Sequence, residues 1–127
     1  MAAQDARGPL VLIDKRFPPE QQDWLEARAK VVVLAEGGLD EVGPDAIEAI
    51  MWYGHGEVKP DFIDSLPNLK VISNFGTGYE FIDAAYAATK GIPTGHTPGC
   101  LSDSVADIGM ALLLASARDL VGGAARA

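Results

Sequence analysis

Residues 70–83 read KVISNFGTGYEFID, and the rest of the chain is arranged around them. Residues 69–72 are mostly apolar and β-favouring, which suits a strand buried on both faces. Polar Ser73 and Asn74 end that run, and Gly76-Thr77-Gly78 marks a turn. Asp83 stands as an N-cap ahead of Ala84, Ala85 and Ala87. Strand, glycine turn and helix make half of a βαβ unit. The two glycines have two readings. Either they supply positive φ in a tight corner, or their missing side chains bare the N–H groups of Thr77 and Gly78 as a nest for an anionic oxygen such as a carboxylate. The Rossmann dinucleotide fingerprint is excluded, because GxGxxG needs glycine where Phe81 stands, and no acidic residue ends a following strand at the expected spacing.

Working outward, strands are expected over 9–13, 31–34, 50–53 and 92–94. Helices are expected from Pro18-Pro19 to about 29, over 45–49 after Pro44, over 61–66 after Pro60, and over 83–90 with Gly91 at the C′ position. Glycines 37 and 38 belong to a loop over 36–38, and 96–99 is a turn. A long helix over 105–121 is capped by Ser102 or Asp103. Strand and helix alternate about five times, which is the α/β pattern. The expected fold is a flavodoxin-like doubly wound parallel sheet of strand order 2-1-3-4-5. Ligands of such sheets sit beyond the carboxyl ends of the strands, so the loops 54–56, 75–78 and 96–100 should share one edge.

The last helix carries Val105, Ile108, Leu112, Leu113, Ala115 and Leu120 on one broad face, with Met110 and Leu114 further round. A helix so apolar calls for burial on more than one side. That points to a partner or to a second domain.

The 127 residues suffice for one domain and one core, and 48% of them are hydrophobic. A net charge of −8 argues against nucleic acid and anionic membrane surfaces as partners. No leader or transmembrane-length apolar run is read in the sequence, so the expected location is the cytoplasm. Cys100 is the only cysteine, which excludes an internal disulfide and a cysteine zinc cluster. His96, four residues before it, and His55, at the predicted ligand edge, are the only histidines, and neither fits a metal or triad pattern. A phosphate-accepting signalling domain shares this fold, but its acceptor position after the third strand is held by Gly54-His55-Gly56, and Asp14 has no acidic neighbour. No Walker loop is present.

NFGTGYEFID at 74–83, followed by KGIPTGHTPGCLSDSVADIGMALLLASAR at 90–118, resembles the D-isomer-specific 2-hydroxyacid dehydrogenases, closest to the glyoxylate/hydroxypyruvate and 2-ketogluconate reductases. The pattern there is G-x-G-x-(D)-N-I-D, then G-I-x-V-x-N-T-P-G, then V-A-D/E and an apolar helix ending in Arg. The resemblance covers roughly 10–121, strong from 69 onward and weak before 51. Glu80 and Phe81 replace Asp-Asn, and His96 stands where Asn is common, which bears on substrate choice more than on fold.

The resemblance implies hydride transfer between NAD or NADP and a small 2-oxo or 2-hydroxy acid, in a homodimer. Thr77 and Gly78 would give backbone donors to the substrate carboxylate, and Thr77 would also approach the nicotinamide end of the cofactor. It divides the chain into a substrate domain over 1–101, an inter-domain and dimer helix over 102–121, and a truncated tail over 122–127. The family's Rossmann domain, which binds most of the cofactor, and its catalytic Arg, Glu and His find no counterpart in this sequence. These residues by themselves are therefore expected to be inactive. The alternative is a non-catalytic short form that binds full-length subunits through its last helix.

Overall fold

A computed structural model describes residues 8–34, 39, 43–54 and 56–126. The expected loop at 36–38 and the side chain of His55 lie outside the described residues. Backbone contacts divide the chain into two compact units, one up to Thr97 and one from Pro98 onward.

The first unit is a five-stranded sheet, all parallel, in the order β2-β1-β3-β4-β5. Its strands are β1 (Leu10–Ile13), β2 (Lys30–Val33), β3 (Ile47–Trp52), β4 (Val71–Asn74) and β5 (Thr94–Gly95). Helices α1 (Pro19–Glu26), α2 (Pro60–Asp64) and α3 (Ala84–Thr89) connect them. The winding reverses between β1 and β3, so a crevice opens beyond their carboxyl ends.

Alternation along β1 feeds two cores. Leu12 packs with Ile50, Trp52, Val58, Ile63, Leu66, Ile72, Ile82 and Ala87 under α2 and α3. Val11 and Ile13 pack with Phe17 and Leu25 of the α1 segment on the other face. Complete burial of a Leu or Ile side chain is worth roughly 1.5–3 kcal/mol.

Several element bounds differ from expectation. Residues 45–49 are not a helix: Pro44–Ala46 is a single 3-10 turn, and Ile47 opens β3. A five-residue helix closes few hydrogen bonds, whereas β3 pairs with β1 and β4 at once. The central strand spans Val71–Asn74 rather than 69–72, with Ser73 opposite Met51 and Asn74 opposite Trp52. Nor is it buried on both faces, since Val71 is 37% exposed and Ile72 fully buried. Strand β5 is Thr94–Gly95 instead of 92–94. Ile92 sends its N–H to Ala87 O at 2.9 Å and its side chain into the core. Helices α1 and α2 stop at Glu26 and Asp64, short of the expected ends. At α3 expectation holds. Asp83 caps it, accepting from Tyr86 N–H at 2.9 Å, and Gly91 follows with φ +75°.

The second unit holds α4 (Ser102–Ala117) and α5 (Leu120–Arg126). Ser102 and Asp103 lie inside the first turn of α4 and do not cap it; Leu101 holds the N-cap position without a side-chain hydrogen bond. The expected single helix is broken at Asp119, whose φ is +48°. Val105, Ile108, Leu112 and Leu113 are each 62–66% exposed. Among the described residues no helix is long and apolar enough to cross a membrane.

Candidate functional site

The loop after β4 is held at both ends and in the middle. At its start, Phe75 donates its N–H to Trp52 O at 2.8 Å, and its ring packs with those of Phe17 and Tyr53. At its far end, Val58 and Ile82 form a parallel bridge, with Val58 N–H to Phe81 O at 2.9 Å and Asp83 N–H to Val58 O at 3.0 Å. Between them, buried Asn74 reaches forward from the strand. Its Nδ2 donates to Gly76 O at 3.0 Å and to Gly78 O at 2.8 Å. Its Oδ1 is buried with no partner among the described residues, so its hold on the loop runs through Nδ2 alone.

The loop after β5 holds the same turn from the side. Thr97 N–H donates to Gly76 O at 3.0 Å, and the Thr77 hydroxyl donates to Thr97 O at 2.9 Å. His96 Nδ1 lies 2.9 Å from Thr77 O. A carbonyl can only accept, so Nδ1 carries the hydrogen. The His96 ring also lies against Tyr79, with centroids 4.7 Å apart.

These bonds orient the peptides. A trans peptide points its N–H opposite to its C=O, and no peptide here is cis. The carbonyls of Gly76 and Thr77 are both turned toward residues 96 and 97. The next N–H groups, of Thr77 and Gly78, therefore turn away from β5, toward the β3 and β1 side. Neither has an acceptor among the described residues. Gly76 and Gly78 do not take positive φ, so the tight-corner reading of these glycines is corrected. An added Cβ at position 78 would lie 2.8 Å from Glu80 Oε2, the far end of a flexible side chain that can swing aside.

The donors border a cleft of about 390 Å³ lined by Arg16, Tyr53, Gly54, Asn74, Phe75, Thr77, Gly78 and Glu80, among others. Thus the predicted loop edges after β3 and β4 do meet, and His96 braces them from the β5 side. Cys100 belongs to the second unit. Sequence reasoning missed Arg16 and Asn74. For Asn74 a signal existed, a polar residue two places before a glycine turn, able to answer that turn's own carbonyls. Among the described residues no three His, Cys, Asp or Glu side chains converge as a metal site.

Residues 11–118 match the model of the D-isomer specific 2-hydroxyacid dehydrogenase catalytic domain. The chain belongs to this family. It is 42% identical over 102 residues to glyoxylate reductase of Thermofilum pendens, covering 80% of this chain and 27% of that protein. Its fold superposes on a 2-hydroxyacid dehydrogenase from Ketogulonicigenium vulgare with a TM-score of 0.80 and 35% identity, over 91% of this chain and 37% of that one. A second solved relative is the NADPH-dependent glyoxylate/hydroxypyruvate reductase of Sinorhizobium meliloti in complex with NADP and malonate. Its TM-score is 0.74 and its identity 28%, over 84% of this chain and 34% of that one. The chain spans about a third of the length of these dehydrogenases.

A dinucleotide pyrophosphate needs a glycine turn that opens onto a bare helix N-terminus. The helix after this turn, α3, is already capped by its own Asp83. The described residues do not fit a pyrophosphate cradle, and the β4 turn presents two backbone N–H groups with no acceptor among the described residues.

Proposed function

We propose that this chain is the substrate-gripping part of an NAD- or NADP-dependent oxidoreductase that reduces a short 2-oxo acid, in the manner of a glyoxylate/hydroxypyruvate reductase. The supporting observation is the pair of unanswered N–H groups at Thr77 and Gly78, turned into the cleft by Asn74, His96 and Thr97. Two adjacent backbone donors form a nest for one carboxylate and spend no side-chain entropy in doing so. Their contribution is orientation: they fix the acid so that its 2-oxo carbon has one pose. Thr77 borders the side on which a nicotinamide would approach; the hydride itself is the chemistry such a cofactor supplies when bound.

The test is a titration of the ¹⁵N-labelled chain with glyoxylate. Saturable shifts are expected at the amides of Thr77 and Gly78, with no consumption of NADH or NADPH by the chain alone. Unmoved amides would end the carboxylate reading, and steady cofactor oxidation would end the reading of an incomplete catalytic set.

The second reading is a homodimer, or a short form bound to full-length subunits, joined through α4. It is favoured by the exposed apolar face of that helix.

A further inference from the structure

One peptide joins the cleft to a histidine behind it. The Thr77 carbonyl and the Gly78 N–H belong to the same peptide unit, and in a trans peptide they point in opposite directions. His96 Nδ1 lies 2.9 Å from the carbonyl end. The N–H end borders the cleft and has no acceptor among the described residues. A donor on an amide oxygen polarises the amide and makes its N–H a stronger donor in turn, so the two hydrogen bonds of one peptide reinforce each other.

The His96 ring is held in place for this. Its neighbour Thr97 donates its N–H to Gly76 O at 3.0 Å and accepts the Thr77 hydroxyl at 2.9 Å. The Tyr79 ring lies against the imidazole, with centroids 4.7 Å apart. A neutral imidazole has one hydrogen to divide between Nδ1 and Nε2, so the bond to Thr77 O exists in only one of its two tautomers. The imidazolium carries a hydrogen on both nitrogens, and a charged donor makes a bond roughly twice as strong as a neutral one. Histidine side chains make this change between about pH 8 and about pH 5. The His96 side chain is exposed, so its protons exchange with solvent.

The groups that face the ring from the β4 loop are the Thr77 carbonyl and the Tyr79 phenol. Glu80, next to Tyr79 in the chain, lines the cleft. Among the described residues no carboxylate pairs with His96. On its own segment, between Lys90 and Asp103, the other titratable side chain is that of Cys100.

We propose that His96 is a positioning residue whose charge sets the strength of the Gly78 donor, so that the carboxylate grip tightens as the ring takes up its second proton. The proposal rests on Gly78 gripping a carboxylate. Protonation acts twice: it fixes a hydrogen on Nδ1, and it sets a positive charge behind the peptide. Two hydrogen bonds laid end to end across one peptide separate imidazolium from carboxylate by roughly 8 Å. In water a pair of unit charges at that range is worth about twofold in affinity, to which the firmer bond adds.

The test is a series of glyoxylate titrations of the ¹⁵N-labelled chain, read at the Gly78 amide from about pH 8 to about pH 5.5. The wild type is expected to bind about threefold more tightly at the acid end. His96→Asn keeps an uncharged donor at this place and should lack that gain. His96→Ala, which leaves the Thr77 carbonyl without this donor, should also lack it. His55, the other histidine, and Glu80 are present in all three proteins, so a gain that they cause appears in all three. Coupling is reciprocal, so saturating glyoxylate should move the titration curve of the His96 ring, followed at Hε1, to higher pH. Unshifted amides of buried Ile50 and Ile72 confirm that each variant stays folded. An acid gain in His96→Asn equal to that of the wild type overturns the proposal, as does a His96 titration curve that glyoxylate leaves in place. If glyoxylate moves neither Thr77 nor Gly78 at any pH, the grip itself fails and takes the proposal with it.

Discussion

Asn74 shows how one side chain sets the peptide orientations of a glycine turn. Its amide answers the Gly76 and Gly78 carbonyls; the first bond helps to aim the Thr77 N–H, while the Gly78 N–H is aimed through His96 on the Thr77 carbonyl. Asn74→Ala removes both bonds and leaves the Gly76 and Gly78 carbonyls short of a donor, an expected loss of about 2 kcal/mol. Asn74→Asp should cost more, because a carboxylate cannot donate and would face two carbonyl oxygens in a buried place. Chemical denaturation ranks the three proteins, and hydrogen exchange at Thr77 and Gly78 reports whether the turn loosens. Equal stability of all three would mean that the loop is held without Asn74. His96 acts on the neighbouring carbonyl, and the Asn common in the family at this place is also a donor. The departure therefore preserves the bond type while adding a ring contact to Tyr79.

Among the elements, α2 and α3 are joined at the surface by a three-residue staple. Tyr86 donates its hydroxyl to Asp64 Oδ2 at 2.6 Å, and Lys90 Nζ lies 2.8 Å from Asp64 Oδ1 and over the Tyr86 ring. The hydrogen bond from Lys90, followed by that from Tyr86, holds the Asp64 carboxyl below the usual carboxylate range. The same bond to Asp64, followed by contact with Tyr86, raises Lys90 above the usual lysine range. A depressed Asp contributes stability above its unfolded-state pKa and loses it as pH falls through the folded one. A raised Lys contributes below its unfolded-state pKa and loses it as pH rises through the folded one. The staple should therefore hold across neutral pH and weaken at both extremes. Lys90→Met is expected to lower Tm slightly at pH 7, as exposed pairs do, with the difference from wild type shrinking in acid and in strong alkali. A difference that stays constant from acid to alkali would mean that charge plays no part.

The whole chain comprises a parallel sheet with a cleft beyond its strand ends and a helical unit whose apolar side chains are exposed. Val105, Ile108, Leu112 and Leu113 expose too much apolar surface for a helix that works alone in water. Self-association through α4 is the expected outcome, seen in sedimentation as a dimer that Leu112→Lys with Leu113→Lys returns to monomer. A wild-type chain that stays monomeric at high concentration would remove the homodimer from consideration.

The order of the sheet, the cap at Asp83 and the left-handed Gly91 were legible in the sequence, because hydrophobic period, capping chemistry and chirality are local effects. So was the Gly76-Thr77-Gly78 turn that follows the central strand. The break at Asp119 was not, since no glycine or proline marks it. Neither were the start of β3 at Ile47 and the run of β4 through Asn74, where pairing with neighbouring strands overrode local propensity. The meeting of the loops after β3 and β4 was legible too, but the rest of the cleft lining belonged to tertiary structure. Arg16, Gly54, Asn74 and His96 come from four separate segments of the chain. Only the strand order, which places β1, β3, β4 and β5 side by side, brings the first three onto one cleft and sets the fourth against the turn that borders it.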